Sequence, residues 1–504
     1  MTAKVTLAAL SLSFFATQAY SDPLSAVDWL SKSLEKPQDV APETPLKGVS
    51  IESIETAPLT NIQKDTVGLF PTQISGIPAD FWGNSSAERL AVIIRNAPKD
   101  QIPAITALWR RIILAEINPP AAGSASHDLL IARLDNLLMA GALDPAEALL
   151  KAADPQDPEL FRRWFDVSIL TQRADDACKR MADNPNFAPT LQARIFCLAR
   201  LGDWKAAELT LSTSQAIGSI SKQDALLAGM FLDPETFEGD SDPVLPKKLT
   251  PLTFVMRESL ALPRPPQSLP LAFLHLDLQN NAGWKVRITS AERLVRENAL
   301  PTTALLNLYL EGSPSASGSV WDRVSAVQKL NDAFDQEDDE KLSDTLVIAY
   351  KQLKLLNLAF CLSDWFTPAL KDHTLTPEAQ KIAFELAILH ADASELAPKF
   401  ASSKQEDQFI LSVLSDDFTT PAKSDMQSAV SNALQGFTQK TAFHIAIDDN
   451  KHGEAIISAL TLLHNGYETD VGDIETALSV MAYDGFKDEA KRIAAQLLVL
   501  KGST

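Results

Sequence analysis

The chain has 504 residues, 45% of them hydrophobic, enough to bury a large core in about three compact domains or one long solenoid. Its 45 basic and 65 acidic residues leave a net charge of −20. That balance removes the electrostatic attraction that drives binding to nucleic acids and to anionic membrane surfaces.

The first residues read as an export signal. Lys4 supplies the positive start, residues 5–15 are apolar apart from Thr and Ser, and small residues allow cleavage after Ala19 or Ser21. Residues 1–21 are therefore expected to be a signal peptide and the mature protein to be periplasmic. The short signal and the low cysteine count point to a bacterial source. Nothing later approaches ~18 uninterrupted apolar residues, so no membrane insertion of the mature chain is expected.

Residues 22–83 are expected to form a short helix followed by a proline-rich tether. Leu24, Val27, Leu30 and Leu34 share one face of a helix over 22–34, with Trp29 beside them. Pro37, Pro42, Pro45, Pro58, Pro71 and Pro78 then interrupt every periodic run. The tether makes that first helix a candidate partner-binding peptide. The alternative is a segment wrapped over the folded body, docked through Ile51, Ile54, Leu69 and Phe70.

Helical repeats are expected over 84–216. Ser85 with Glu88 reads as a capping box ahead of Leu90, Ile93 and Ile94. A second helix over 99–117 places Ile102, Ile105, Leu108, Ile112 and Ala115 inward, and Asn118-Pro119-Pro120 stops it. A threefold echo follows. Leu130, Leu134 and Leu137 are answered by Phe161, Phe165 and Ile169, then by Leu191, Ile195 and Leu198. Each run precedes a second that opens on an alanine: Ala146, Ala177 and Ala207, spaced 31 and then 30 residues apart. Residues 217–318 are proline-rich, with irregular helical stretches. Residues 319–504 return to the template, with Ala455 and Ala490 in the alanine position 35 residues apart.

The stretch Arg200-Leu-Gly-Asp-Trp-Lys-Ala207 resembles the tetratricopeptide pattern, in which a glycine ends the first helix and a small residue opens the tightest crossing. Gly141 and Gly202 fit the turn position, where the middle unit has Gln172 or Arg173. The resemblance implies an all-α fold: a helical-hairpin solenoid, a tetratricopeptide-like superhelix, with an extended N-terminal tether. It also implies a concave groove lined by Asp135, Arg162, Asp166, Gln192, Phe196 and Arg200. The family's carboxylate clamp needs Asn where this chain has Asp135, Asp166 and Phe196, which favours basic or mixed partners over a C-terminal carboxylate.

Cys178 and Cys197 lie about eight to ten residues either side of the turn near 186–189, so antiparallel neighbouring helices bring them to one height. A disulfide is expected there in an oxidising compartment, the rival reading being two buried small hydrophobes. Cys361 reads as a core thiol.

Chemistry is poorly represented. No two of the seven histidines stand three or four apart, and there is no Cys-x-x-Cys or His-Glu-x-x-His, so no metal or cofactor is expected. Asp448, Asn450 and Gly453 loosely resemble a calcium loop, but His452 and Ala459 stand at ligand positions. The acidic run over 332–344 reads as a solvated linker and helix start. Adjacent Ser126, His127 and Asp128 cannot form a triad, and no nucleophile elbow or phosphate loop is present.

The expectation is an exported, non-catalytic scaffold or adaptor for protein partners in the cell envelope. One alternative is an enzyme acting on peptidoglycan, or its helical accessory subunit. Another is a carrier for exported chains, which needs an exposed apolar groove.

Overall fold

The structure, a computed structural model, describes residues 27–31, 64–97, 102–121 and 127–502, apart from positions 240, 280, 315, 316, 337 and 437. The expected signal peptide and most of the expected tether lie outside the described residues. Within them the fold is all-α, with one isolated bridge between Phe70 and Ala115 and no strand.

After a single turn, α1 (Thr72–Ser75), come α2 (Ala87–Arg95) and α3 (Pro103–Leu114). The repeat block holds α4 (Asp128–Met139), α5 (Leu143–Ala152), α6 (Pro158–Leu170), α7 (Asp175–Asp183), α8 (Leu191–Arg200) and α9 (Trp204–Ala216). The middle carries α10 (Lys222–Leu232), α11 (Pro251–Ser259), a 3-10 helix over Leu271–Leu278, α12 (Trp284–Arg296) and α13 (Thr302–Leu310). Next are α14 (Val320–Phe334), α15 (Asp339–Lys354), α16 (Ala359–Leu370), α17 (Pro377–Leu389), α18 (Ala393–Phe400) and α19 (Gln405–Ser415). The chain ends with α20 (Asp425–Gln435), α21 (Ala442–Asp448), α22 (His452–Leu462), α23 (Val471–Tyr483) and α24 (Lys487–Lys501).

Among the helix pairs that turn on one backbone device, five carry an alanine five positions later. Gly141, Gln172, Gly202, Asn450 and Gly485 all take positive φ, and the next residue's N–H reaches back across the last helical turn. Ala142, Arg173, Asp203, Lys451 and Phe486 donate to the carbonyls of Leu137, Ser168, Leu198, Ala446 and Met481 at 2.7–2.9 Å. These bonds satisfy carbonyls that the helix end leaves free, and they reverse the chain. The alanine that follows in each pair is buried: Ala146, Ala177, Ala207, Ala455 and Ala490. A small side chain lets the paired helices approach closely. Gly141 has a second constraint, because a Cβ there would lie 2.8 Å from the Cβ of Leu271.

One local expectation changes: the cap of α2 is Ser86, whose Oγ accepts the Arg89 N–H, while Ser85 is buried one position earlier. Of the two readings of the proline-rich segment, a tether or a segment wrapped over the body, the stretch over 64–83 follows the second and lies against the body. Asp65 accepts the Leu130 N–H at the start of α4, and Ile77, Phe81 and Trp82 enter the core. Arg133, wholly buried, fixes that stretch by donating to Val67, Ile113 and Ala115 carbonyls, each at 2.8 Å. Apolar residues spaced between the prolines gain more from burial than from remaining in water.

The last helices pack on the first. α24 and α22 pack against α3, and α22 also meets α2. Asn84 N–H donates to Asn450 O at 2.7 Å, and Gly453 N–H to Phe81 O at 2.7 Å. Arg111 pairs with Glu489. The apolar faces of α2 and α3, with Leu90, Ile94, Ile105 and Ile112 fully covered, have the C-terminal hairpins as part of their cover.

Candidate functional site

Helix α6 starts where Asp157 accepts the N–H groups of Glu159 and Leu160, with Pro158 at the first helical position. From that start Arg162 and Asp166 fall one turn apart on one face. Both address a single residue of the N-terminal segment. Asp166 Oδ2 accepts the Ser31 N–H at 2.8 Å and Oδ1 accepts the Ser31 hydroxyl at 2.6 Å. Arg162 Nη1 donates to the Ser31 carbonyl at 2.7 Å, while its Nη2 is held by Glu159 at 2.6 Å. The backbone N–H, backbone C=O and side chain of Ser31 are thus all engaged by two residues of one helix.

The rest of the segment is apolar anchoring. Residues 27–31 form a turn, closed by the Leu30 N–H on Val27 O at 3.3 Å, where a helix was expected. Asp28 faces solvent at the turn, and Val27, Trp29 and Leu30 are buried. Trp29 meets Phe273 edge-on with ring centroids 5.6 Å apart, and Phe273 in turn packs on Phe254 of α11 at 5.0 Å. The 3-10 helix over Leu271–Leu278 packs against α4 and α6. His275 Nε2 donates to Gly141 O at 2.7 Å, tying it to the first hairpin turn. The irregular middle of the chain therefore supplies the aromatic wall of the site.

Burial pushes the Asp166 carboxyl up to about 6, against the pull of the two Ser31 hydrogen bonds and of the Arg162 and Arg163 guanidinium groups. Burial likewise holds His275 below the ordinary imidazole value, so it sits neutral.

Of the six residues expected to line a groove, Arg162 and Asp166 converge on one segment. Asp135 is buried and takes Arg163 Nε and Nη2 at 2.8 and 3.3 Å, so it is committed to the protein interior. Gln192 and Phe196 are buried on α8, with Phe196 against Phe231 at 5.6 Å. Arg200 remains exposed and pairs with Asp175 at 2.5 Å. Residues 27–31 and the aromatic pair Phe254 and Phe273 complete the site. Val27, Trp29 and Leu30 were legible among them, as apolar residues of the expected first helix.

Cys178 of α7 and Cys197 of α8 are joined as a disulfide with Cα atoms 4.9 Å apart, and Cys361 is a buried free thiol. Asp448 accepts from Lys440 at 2.9 Å and from Tyr483 at 2.7 Å, and Asn450 forms the hairpin turn, so the 448–453 stretch serves a helix junction. In the acidic run, Asp338 caps α15 and Asp339 is paired with His373 at 2.8 Å. Among the described residues there is no group of three His, Cys, Asp or Glu placed to hold a metal ion. No helix among them is long and apolar enough to cross a membrane.

Set against protein-family models, curated proteins and solved structures, the chain matches none.

Proposed function

We propose that the protein is an exported, non-catalytic helical-repeat adaptor that holds segments of protein partners in the bacterial cell envelope. The observation that carries this reading is the grip of Arg162 and Asp166 on the main chain of Ser31. Main-chain hydrogen bonds supply affinity for a peptide whatever its neighbours, and adjoining apolar pockets supply selectivity. The signal-like leader, the disulfide and the acidic body all accord with an exported binding protein. The repeated hairpins accord with it too, because stacked helical repeats build binding surfaces.

Affinity capture from the native envelope by the full mature chain is the test. Specific protein partners, recovered without wall turnover, are expected. Release of muropeptides by the purified protein would overturn the reading in favour of a peptidoglycan-acting enzyme.

A further inference from the structure

Residues 27–31 reach α6 across 135 positions of sequence. An ordinary core contact would cover α6 with apolar side chains. Here the covered face carries a carboxylate and a guanidinium, both costly to bury unless hydrogen-bonded. Ser31 meets that requirement with a donor N–H, a donor hydroxyl and an acceptor carbonyl. The polar complement of the site is therefore that of a peptide seat, with an aliphatic and aromatic cradle beside it for Val27, Trp29 and Leu30. Arg162 Nε, buried beside the segment, has no partner among the described residues.

We propose that this groove is a peptide-binding site which the chain's own residues 27–31 fill in cis. Its ligand in trans is a protein segment of the same chemistry: aliphatic residues flanking a Trp, followed by Ser or Thr. The inference deepens the adaptor reading and rests on it for the existence of a partner. Chain length gives the device its range. The 32 residues over 32–63 separate the segment from the next docked stretch. A cis segment that occupies the groove must leave before a trans peptide can enter, so the intact chain binds such a peptide more weakly than an emptied groove. The cis segment acts as a built-in competitor that sets which partners are strong enough to enter.

The test uses the full mature chain and a fluorescein-labelled synthetic peptide of residues 22–34, followed by anisotropy. The Trp29→Ala/Ser31→Ala chain is expected to bind the peptide at least tenfold more tightly than the unaltered chain. Adding Asp166→Ala should remove that gain, and a peptide with Pro at the Ser31 position, lacking the N–H and hydroxyl, should not bind. Ser31→Ala alone leaves Trp29 in place and gives an intermediate gain if the double variant fails to fold by circular dichroism. Equal peptide binding by the released and unaltered chains would overturn the proposal and make residues 27–31 a permanent part of the core. A concentration-dependent dimer dissolved by free peptide would overturn it in favour of a second copy as occupant. Envelope partners captured without any peptide binding would leave the adaptor reading standing and sink this inference alone. Peptide binding with no envelope partner would sink only the adaptor reading.

Discussion

The side-chain carbonyl of Gln496 accepts the backbone N–H of Ala104 at 2.9 Å, across 392 residues of sequence. Its amide nitrogen donates to the carbonyls of Ile388 and Leu389 at 3.3 and 3.4 Å. Ala104 lies in the first turn of α3 and the two carbonyls close α17, so one buried amide serves groups that both helix ends leave free. Gln496→Leu keeps the volume and strands those groups in the interior. A loss of roughly 1–3 kcal/mol in urea unfolding is expected. An unchanged midpoint would mean that the two ends of the chain are not tied at this point.

The contact between the 64–83 stretch and α22 makes a sharper demand. A Cβ on Gly453 would lie 2.3 Å from Cε3 of Trp82, an indole that is wholly buried. Gly453→Ala should therefore force the ring or the helix to move, at a cost of roughly 1–3 kcal/mol. Thermal melting of the single variant checks this. A melting temperature equal to that of the unaltered protein would show that Trp82 does not occupy this position.

Gly453 also shows how far the sequence could be read. The local sequence, a poor match to a calcium loop, gives no reason for glycine there; the reason is a tryptophan far away in the chain. The hairpins were legible because their signals are local: a residue able to take positive φ, then a buried alanine five positions on, at 141 and 146, 172 and 177, and 202 and 207. Arg162 and Asp166 were legible only as two of the six groove positions that the tetratricopeptide resemblance implies. Their ligand was not, since Ser31 carries no periodic signal and the expected helix over 22–34 is replaced, in its described part, by a turn. The return of α24 onto α3 includes the tie made by Gln496, a single amide in an apolar helix face, which no local pattern marks.

The disulfide between α7 and α8 closes a short loop, the two cysteines standing 19 residues apart. Constraint of the unfolded chain by a loop of that size contributes about 3 kcal/mol. Cys178→Ala/Cys197→Ala should lower the unfolding midpoint accordingly, and reductant should lower that of the unaltered protein but leave the variant where it is. Insensitivity of both proteins to reductant would return the two residues to the alternative of buried thiols.

Asp166 gives the site a dependence on pH whose sign can be worked out. Its folded value of about 6 lies above the ordinary carboxylate value of 3.8, so between those limits the folded protein binds more protons than the unfolded chain. Its unfavourable contribution, on the order of 2–3 kcal/mol, is full above pH 6 and fades as pH falls toward 4. Asp166→Asn cannot titrate. The stability of this variant minus that of the unaltered protein should therefore drop by about 2 kcal/mol between pH 7.5 and pH 4.5. His275, held neutral by burial, makes both proteins less stable as pH falls below 6.5, and so cancels in the difference. A difference that does not change with pH would place Asp166 in water instead of beneath Ser31.

The alanine crossings carry the repeat itself, and two of them can be tested against a neighbour. Ala146 and Ala207 have no exposed surface, while Glu208, next in sequence to Ala207, points to solvent. Enlarging either alanine to leucine must separate α4 from α5 or α8 from α9, because interiors at native density have no room for three more carbons. Ala146→Leu and Ala207→Leu are each expected to cost roughly 1–3 kcal/mol in chemical unfolding. Glu208→Leu should stay within about 0.5 kcal/mol. If the two alanine variants behaved like Glu208→Leu, the close crossing would be absent, and with it the reason for an alanine at the same place in all five hairpins.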